Sequence, residues 1–420
     1  MSTIDSAKAR EFAKEVVAKL RTRGFEALWA GGCVRDQLLG ADPKDYDVAT
    51  NARPDQIREV FGRRKTLAIG AAFGVITVLG PRSAGQVEVA TFRRDATYSD
   101  GRHPDSVAFS NAEEDARRRD FTVNGLFFDP LAAVIIDYVG GQEDLSRRVI
   151  RAIGDAEERL AEDKLRMLRA VRFATTLDFR IDSATMSAVQ CHADELGAVS
   201  AERVAAELRR LLLHLNRRRG VELLHESKLL GRVLPELRPG GDDWAETLAI
   251  LQLLNAPTFA VAVAALLRTV RTGSGASDCA EQICRRWKLS NTEVAGVLFC
   301  LNHETTIRSA QTVAWPVLQR VLVDSRIDEL LSYCEAVAAV VDNSTDAIMF
   351  CRETLARPQV DWNPTPLITG NELRGLGIAP GPVFRELLEA TRDSQLNGEI
   401  TSREAAISFV QSLWQARKVE

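Results

Sequence analysis

Two carboxylates one residue apart, Asp45 and Asp47, lie in the run Asp45-Tyr46-Asp47-Val48, just after a turn containing Pro43. Side chains of an extended strand alternate between faces, so this spacing predicts that both acids share one face while Tyr46 takes the other. Acids placed in that way repel each other unless a cation sits between them, which makes the pair a candidate Mg2+ site. Upstream, Gly31-Gly32-Cys33-Val34-Arg35-Asp36 follows a short apolar run. Two glycines at a strand-to-helix turn let backbone N–H groups approach a polyphosphate closely, and Arg35 can reach the same anion. Singly, an Asp-x-Asp reads as ordinary turn acids and a Gly-Gly as a tight loop. In this order, each flanked by strand-like residues, they point to nucleotide chemistry.

The stretch Gly31 to Asp36 followed by Lys44-Asp-Tyr-Asp-Val-Ala-Thr50 resembles the head of class II tRNA nucleotidyltransferases and bacterial poly(A) polymerases. Further segments similar to that family occur in the expected order over about the first half of the chain. Arg118-Arg-Asp-Phe-Thr-Val-Asn124 resembles its ribose-recognition motif, which implies that Arg119 contacts nucleotide phosphate or ribose with Asp120 nearby. Asp137-Tyr-Val-Gly-Gly-Gln-Glu-Asp-Leu145 resembles the hinge between head and neck, and Glu162-Asp-Lys-Leu-Arg166 the amino-acid template that selects CTP and ATP. The resemblance implies Gly32, Arg35, Arg119, Asp120, Glu162, Asp163, Arg166, Arg169 and Arg172 as nucleotide-binding residues, Asp45 and Asp47 as catalytic metal ligands, and Mg2+ as cofactor.

The residues of the template segment support that reading. At about 100° per residue, Met167, Leu168, Val171 and Ala174 gather on one arc of a helix, and Glu162, Arg166, Arg169 and Arg172 on the opposite one, with Leu165 among the arginines. The basic face is expected to be presented and not buried. Asp163 and Arg166, three apart, would be helix neighbours, and a carboxylate beside a guanidinium fork offers the acceptor and donors that reading C or A requires. A solvated helix with Glu162 and Arg166 as an i,i+4 pair is the plainer alternative. Glu88, in Gln86-Val-Glu-Val-Ala-Thr-Phe92, reads equally as a third acid near the metal and as an exposed strand glutamate.

These residues need a scaffold. From about residue 24 to 140, strand-like runs (27–30, 74–79, 86–92 and 133–137) alternate with helical ones and Gly- and Asp-rich turns, a mixed α/β or α+β pattern. After about 155 long amphipathic runs take over. The expected architecture is α+β: a nucleotidyltransferase-type mixed-sheet head over 1–150, then an all-helical neck over 151–222, body over 223–355 and tail over 356–420. Pro239-Gly-Gly-Asp-Asp243 and the stretch 358–366 are the candidate joints. The polar, Gly- and Pro-containing loop 93–105 joins two strand-like runs, and in the resembling family a loop here helps the switch from CTP to ATP. Its presence argues against an enzyme that adds only the two cytidines.

Composition bounds the partners. Fifty-four Lys and Arg against 58 Asp and Glu leave a formal charge of −4, so RNA attraction must come from local clusters. One such cluster holds Arg203, Arg209, Arg210, Arg217, Arg218 and Arg219 against Glu202 and Glu207, a candidate phosphate track. Gly381-Pro382 would open a helix whose N–H groups could meet RNA phosphate. No apolar run reaches the roughly 20 residues of a spanning helix, so no membrane partner and a cytoplasmic location are expected. Seven scattered cysteines read as reduced, mostly core thiols. The expected reaction is template-independent addition of C, C and A to the 3′ end of tRNA from CTP and ATP. The alternatives are an A-only enzyme, either a poly(A) polymerase or an A-adding tRNA nucleotidyltransferase, and an RNA-binding protein with an inactive head. The intact Asp45 and Asp47 argue against the last. Oligomeric state is not legible.

Overall fold

The computed structural model describes residues 5–95, 107–270 and 276–419. The chain forms two compact units, 1–237 and 238–420.

The first unit opens with α1 (Ser6–Thr22), whose Asp5 side chain accepts the Ala7 and Lys8 N–H groups and so caps the free end of the helix. Its strands are β1 (Ala27–Ala30), β2 (Asp47–Thr50), β3 (Thr66–Leu67), β4 (Val75–Leu79), β5 (Gln86–Thr91), β6 (Arg93–Asp95), β7 (Val107–Phe109), β8 (Phe127–Asp129) and β9 (Val134–Ile136). Seven of them make one sheet in the order β3-β4-β5-β2-β1-β8-β9, with β6 and β7 a separate hairpin. Only the central pair β2–β5 of this sheet runs parallel, and its register sets Asp47 opposite Glu88. The expected loop 93–105 has its first residues in β6, and its remainder lies outside the described residues.

Alternation decides what each face carries. In β5, Val87, Val89 and Thr91 are buried while Gln86 and Glu88 are exposed. One face meets α1, which contributes Ala13, Val16, Val17 and Leu20, and stacks Tyr46 on Trp29 at 4.7 Å. The other face packs Leu28, Ala30, Ala49, Phe92 and Phe127 against Ala112 and Ala116. Asp47, two residues before Ala49, shares that second face.

Helices α2 (Gly32–Leu38), α3 (Pro54–Phe61), α4 (Ala112–Arg117) and α5 (Gly141–Ser146) flank the sheet. The turn from β1 into α2 runs through Gly31 at φ 72°, ψ −123°, where an added Cβ would lie 2.7 Å from Arg119 Nη1. Glycine is required there both by backbone conformation and by the approach of the guanidinium.

The helical part of this unit comprises α6 (Ala156–Glu162), α7 (Leu165–Leu177), α8 (Ser183–His192), α9 (Ala201–Leu212), α10 (Arg217–Glu226) and α11 (Leu230–Val233). One small departure from all-helix is a two-residue parallel pairing of Val149–Ile150 with Arg180–Ile181. Residues 223–237, expected in the body, fall in this first unit: Leu223, Leu224, Leu229, Leu230, Val233 and Leu234 are buried in it, and the break comes just before the glycines at 240 and 241.

The second unit is helical. At its heart, buried Glu304 accepts from Arg268 Nε at 3.0 Å, Arg308 Nη1 at 2.9 Å and the Tyr333 hydroxyl at 2.7 Å. Residues beyond 366 have their own apolar cluster around Leu373, Leu387 and Val410. Six of the seven cysteines are buried; Cys191 is exposed. Among the described residues no helix is long and apolar enough to cross a membrane.

Two substitutions check this account. Tyr333→Phe removes a hydrogen bond to a buried carboxylate and should lower unfolding free energy by about 1.5–3 kcal/mol in denaturant titration. Gly31→Ala should cost about 1–3 kcal/mol of backbone strain and, by displacing Arg119, weaken nucleotide binding in a calorimetric titration.

Candidate active site

The β1–α2 turn brings Arg35 against Phe173 of α7. Its Nη1 donates to Asn124 Oδ1 at 2.6 Å, its Nε to Asp36 at 2.8 Å, and its guanidinium lies 5.3 Å from the centre of the Phe173 ring. Phe173 also carries Arg169 at 5.2 Å and Arg172 at 3.7 Å, so one aromatic ring collects three cations. Arg119 donates through Nε and Nη2 to Asp115 and through Nη1 to the Asn124 carbonyl at 3.2 Å. Asp120 is buried, accepts from the Phe121 N–H, Asn124 Nδ2 and Arg169, and is held down to about 2: those donors and the Arg169 charge outweigh the cost of its burial.

The acids differ from expectation in one respect. Strand β2 begins at Asp47, and Asp45 sits in the bend before it, so strand alternation does not itself align the two. Tyr46 is buried on the α1 side as expected. Asp47 opens to solvent through the cleft mouth but is otherwise ringed by protein; this desolvation first, and then the Glu88 and Asp45 charges, push its carboxyl up to about 6 against the opposing pull of Arg119. Mutual repulsion of this kind is what a divalent cation would relieve. Among the described residues no group of three His, Cys, Asp or Glu side chains closes around a point. The donor set is therefore of the open kind, a carboxylate or two completed by water and phosphate oxygens, which suits Mg2+ better than a caged ion.

The template segment is built differently from the single helix expected. Helix α6 ends at Glu162, Asp163 is extended at φ −142°, ψ 105°, and α7 starts at Leu165. Asp163 is not the helix neighbour of Arg166. Its Oδ1 takes the Leu165 N–H at 3.0 Å, starting α7, and its Oδ2 takes Arg203 Nη2 at 2.8 Å. Arg166 donates to the carbonyls of Arg159 at 2.7 Å and Arg118 at 3.2 Å and pairs with Glu162, which also holds Arg159 at 2.9 Å. Nor is the basic face freely presented: Arg166 is 8% exposed and Arg172 7%. Both can be buried because carboxylates and carbonyls from elsewhere meet them, Arg172 pairing with buried Glu207 on α9.

These elements enclose a cleft of about 560 Å³. It is lined by Gly32, Arg35, Asp47, Arg119, Asp120, Asp163, Arg166, Arg169 and Arg172, nine of the residues singled out in the sequence, whereas Asp45 and Glu162 are not among the lining residues. Glu88 stands beside Asp47 on the neighbouring strand. Sequence reasoning missed Arg118, Asn124 and Phe173, which also line it, and treated Arg203 and Arg210 as part of an RNA track, yet both reach this cleft. Arg118 and Asn124 bound a quoted motif, so for these two the signal was present.

The rest of that track is mixed: one arginine is buried and two are exposed in surface ion pairs. Arg217 is buried, Arg218 pairs with Glu222 at 3.2 Å, and Arg219 with Glu226 at 2.6 Å. Pro382 does open a helix, Pro382–Leu396, with Gly381 before it.

The chain matches the "Poly A polymerase head domain" family over residues 27–151 and the "Probable RNA and SrmB- binding site of polymerase A" family over 178–240. A CCA-adding enzyme of Streptococcus thermophilus is 31% identical over 407 residues, which cover 95% of this chain and 96% of that protein. One of Levilactobacillus brevis is 32% identical over 94% and 96%. Among solved structures, the Bacillus stearothermophilus CCA-adding enzyme in complex with CTP superposes with a TM-score of 0.79 at 28% identity, covering 98% of both chains. The Thermotoga maritima CCA-adding enzyme complexed with tRNA_CCA shares the fold at TM-score 0.67 and 18% identity, over 96% of this chain and 95% of that one. Near-full-length identity above 30% and a common mixed-sheet head followed by helices place the chain in the class II CCA-adding enzyme and poly(A) polymerase family.

Proposed function

We propose that the protein completes the 3′ end of tRNA, adding C, C and A from CTP and ATP without a nucleic-acid template. The observation that carries this reading is the single cleft in which Asp47 of the sheet meets Asp163 and Arg166 of the helical segment, so that a reacting phosphate and a base edge can be held together. The full-length relatives named for CCA addition, and the CTP held by the Bacillus stearothermophilus enzyme, support it over A-only addition.

In this reading Asp45 and Asp47 hold a divalent cation, Mg2+, with Glu88 adding negative charge beside them. Such an ion supplies activation of the primer 3′-hydroxyl and neutralisation of charge on the α-phosphate and the departing pyrophosphate. The protein's own groups do the rest. The Gly31-Gly32 turn lets the triphosphate come close to backbone, and Arg35 and Arg119, fixed by Asn124, receive its charge. Asp120, ionised throughout the physiological range, keeps Arg169 directed over Phe173. Asp163 offers an acceptor and Arg166 and Arg203 offer donors to the Watson–Crick edge, with Arg172 packed beneath. Glu162 acts through Arg166, which it pins, and makes no contact of its own. Catalysis is then positioning plus electrostatics, with no covalent intermediate. Within this scheme residues 1–150 serve as head and 151–222 as neck, with 223–237 packed in the same unit, the remainder of 223–355 serves as body and 356–420 as tail, and the helical parts choose the nucleotide and hold tRNA.

The assay is direct. With tRNA lacking its CCA, CTP alone should give two additions, ATP alone none, and both together the complete end; extension by ATP alone would overturn the reading in favour of an A-only enzyme. Asp45→Ala and Asp47→Ala should each lower incorporation about 10³-fold, the scale of losing a main electrostatic stabiliser, while tRNA affinity in filter binding stays near wild type.

A further inference from the structure

Asp115, on α4, is not part of the cleft lining, yet it organises one wall of it. Its side chain is 2% exposed. One oxygen, Oδ1, accepts from Arg118 Nε at 2.8 Å and Nη2 at 2.7 Å and from the Arg93 backbone N–H at 3.2 Å. The other, Oδ2, accepts from Arg119 Nη2 at 3.0 Å and Nε at 3.3 Å. The far side of the Arg119 guanidinium is held by the Asn124 carbonyl and lies 5.0 Å over the Phe127 ring. It thus stands against the Gly31 turn and lines the same cleft as Asp47. A guanidinium sharing a cleft with an acid that forms no ion pair among the described residues would ordinarily close onto it and form a bidentate pair. Arg119 does not, because Asp115 already occupies its Nε–Nη2 edge.

We infer that Asp115 is a positioning residue that holds Arg119 beside Asp47 instead of on it, leaving the Asp47 carboxylate available to a divalent cation. This rests on the reading of Asp45 and Asp47 as the cation-holding pair. Asp115 touches neither nucleotide nor cation in this arrangement; it sets where a cleft cation ends and a metal site begins. Without its charge, Arg119 turns its freed edge to Asp47, which lines the same cleft, and competes with the metal.

The probe is Mn2+, titrated into full-length protein without nucleotide or tRNA and followed by the electron paramagnetic resonance signal of the free ion. Asp115→Asn should weaken Mn2+ binding about tenfold, the scale seen when a residue supporting a metal site is lost. The double variant Asp115→Asn, Arg119→Gln should restore it, since the competing guanidinium is gone; general damage to the head would not be repaired by a second change. Unaltered or tighter Mn2+ binding in Asp115→Asn, or no recovery in the double variant, overturns the inference. Should Asp115→Asn not fold, Asp115→Glu takes its place: the extra methylene drives Arg119 toward Asp47, and undiminished binding again overturns it. Asp47→Asn separates the two levels. If it binds Mn2+ like wild type, the cation reading of the acid pair is wrong; if it loses Mn2+ while Asp115→Asn does not, only the role of Asp115 fails.

Discussion

The cleft depends on the pairing of half-buried and buried arginines with buried carboxylates. Arg119 and Arg118 lean on Asp115, Arg169 on Asp120, and Arg172 on Glu207. An arginine withdrawn from water without a partner is prohibitively costly, and a carboxylate likewise. Paired, they can be fixed at the wall of a cavity that is still polar, and each guanidinium keeps donors that its carboxylate does not use. The site is thereby strongly cationic in the direction of an incoming triphosphate and close to neutral toward the protein behind it.

The partners come from different places in the chain, and this ties the unit together. Arg169 on α7 meets Asp120 beside the sheet; Arg172 on the same helix meets Glu207 on α9; Asp163 at the head of α7 meets Arg203 on α9. Phe173 then supplies a flat apolar surface on which Arg35, Arg169 and Arg172 rest, so like charges are spaced by an aromatic ring. Helix α7 is consequently placed by charge as much as by its apolar face of Met167, Leu168, Val171 and Ala174.

What could be read in the sequence follows from the range of the forces involved. The strands near 27–30, 75–79, 86–91 and 134–136 were legible because alternation and β-branched residues are local signals. So was the clustering of Gly32, Arg35, Asp47 and the arginines of 119 to 172, through their resemblance to a known order of motifs. The burial of Arg166 and Arg172 was not, since it depends on Glu207 and on the carbonyls of Arg118 and Arg159, which no helical wheel contains. The break at Asp163 escaped notice for a related reason: the wheel treats 162 to 174 as one rod, whereas an aspartate that caps the following turn ends one helix and begins another. The basic run after 201 does reach the surface at Arg210, Arg218 and Arg219, but the glutamates that share its charge, Glu222 and Glu226, lie beyond the stretch that was counted.

The parallel register of β2 and β5 has a consequence for how this enzyme can change. Asp47 and Glu88 face each other on the cleft side, while Val48 and Val89, their successors in the same register, are sealed in the opposite apolar layer. Adding or deleting one residue in the Gly80–Gly85 connection could slide β5 by a single position, but only by driving Glu88 into that layer and Val89 out of it. The hydrophobic side of the sheet therefore acts as a ratchet for the acidic side. The spacing of the two carboxylates is guarded by valines that never meet the substrate, and loop lengths around the sheet are free to vary only in ways that leave this alignment untouched.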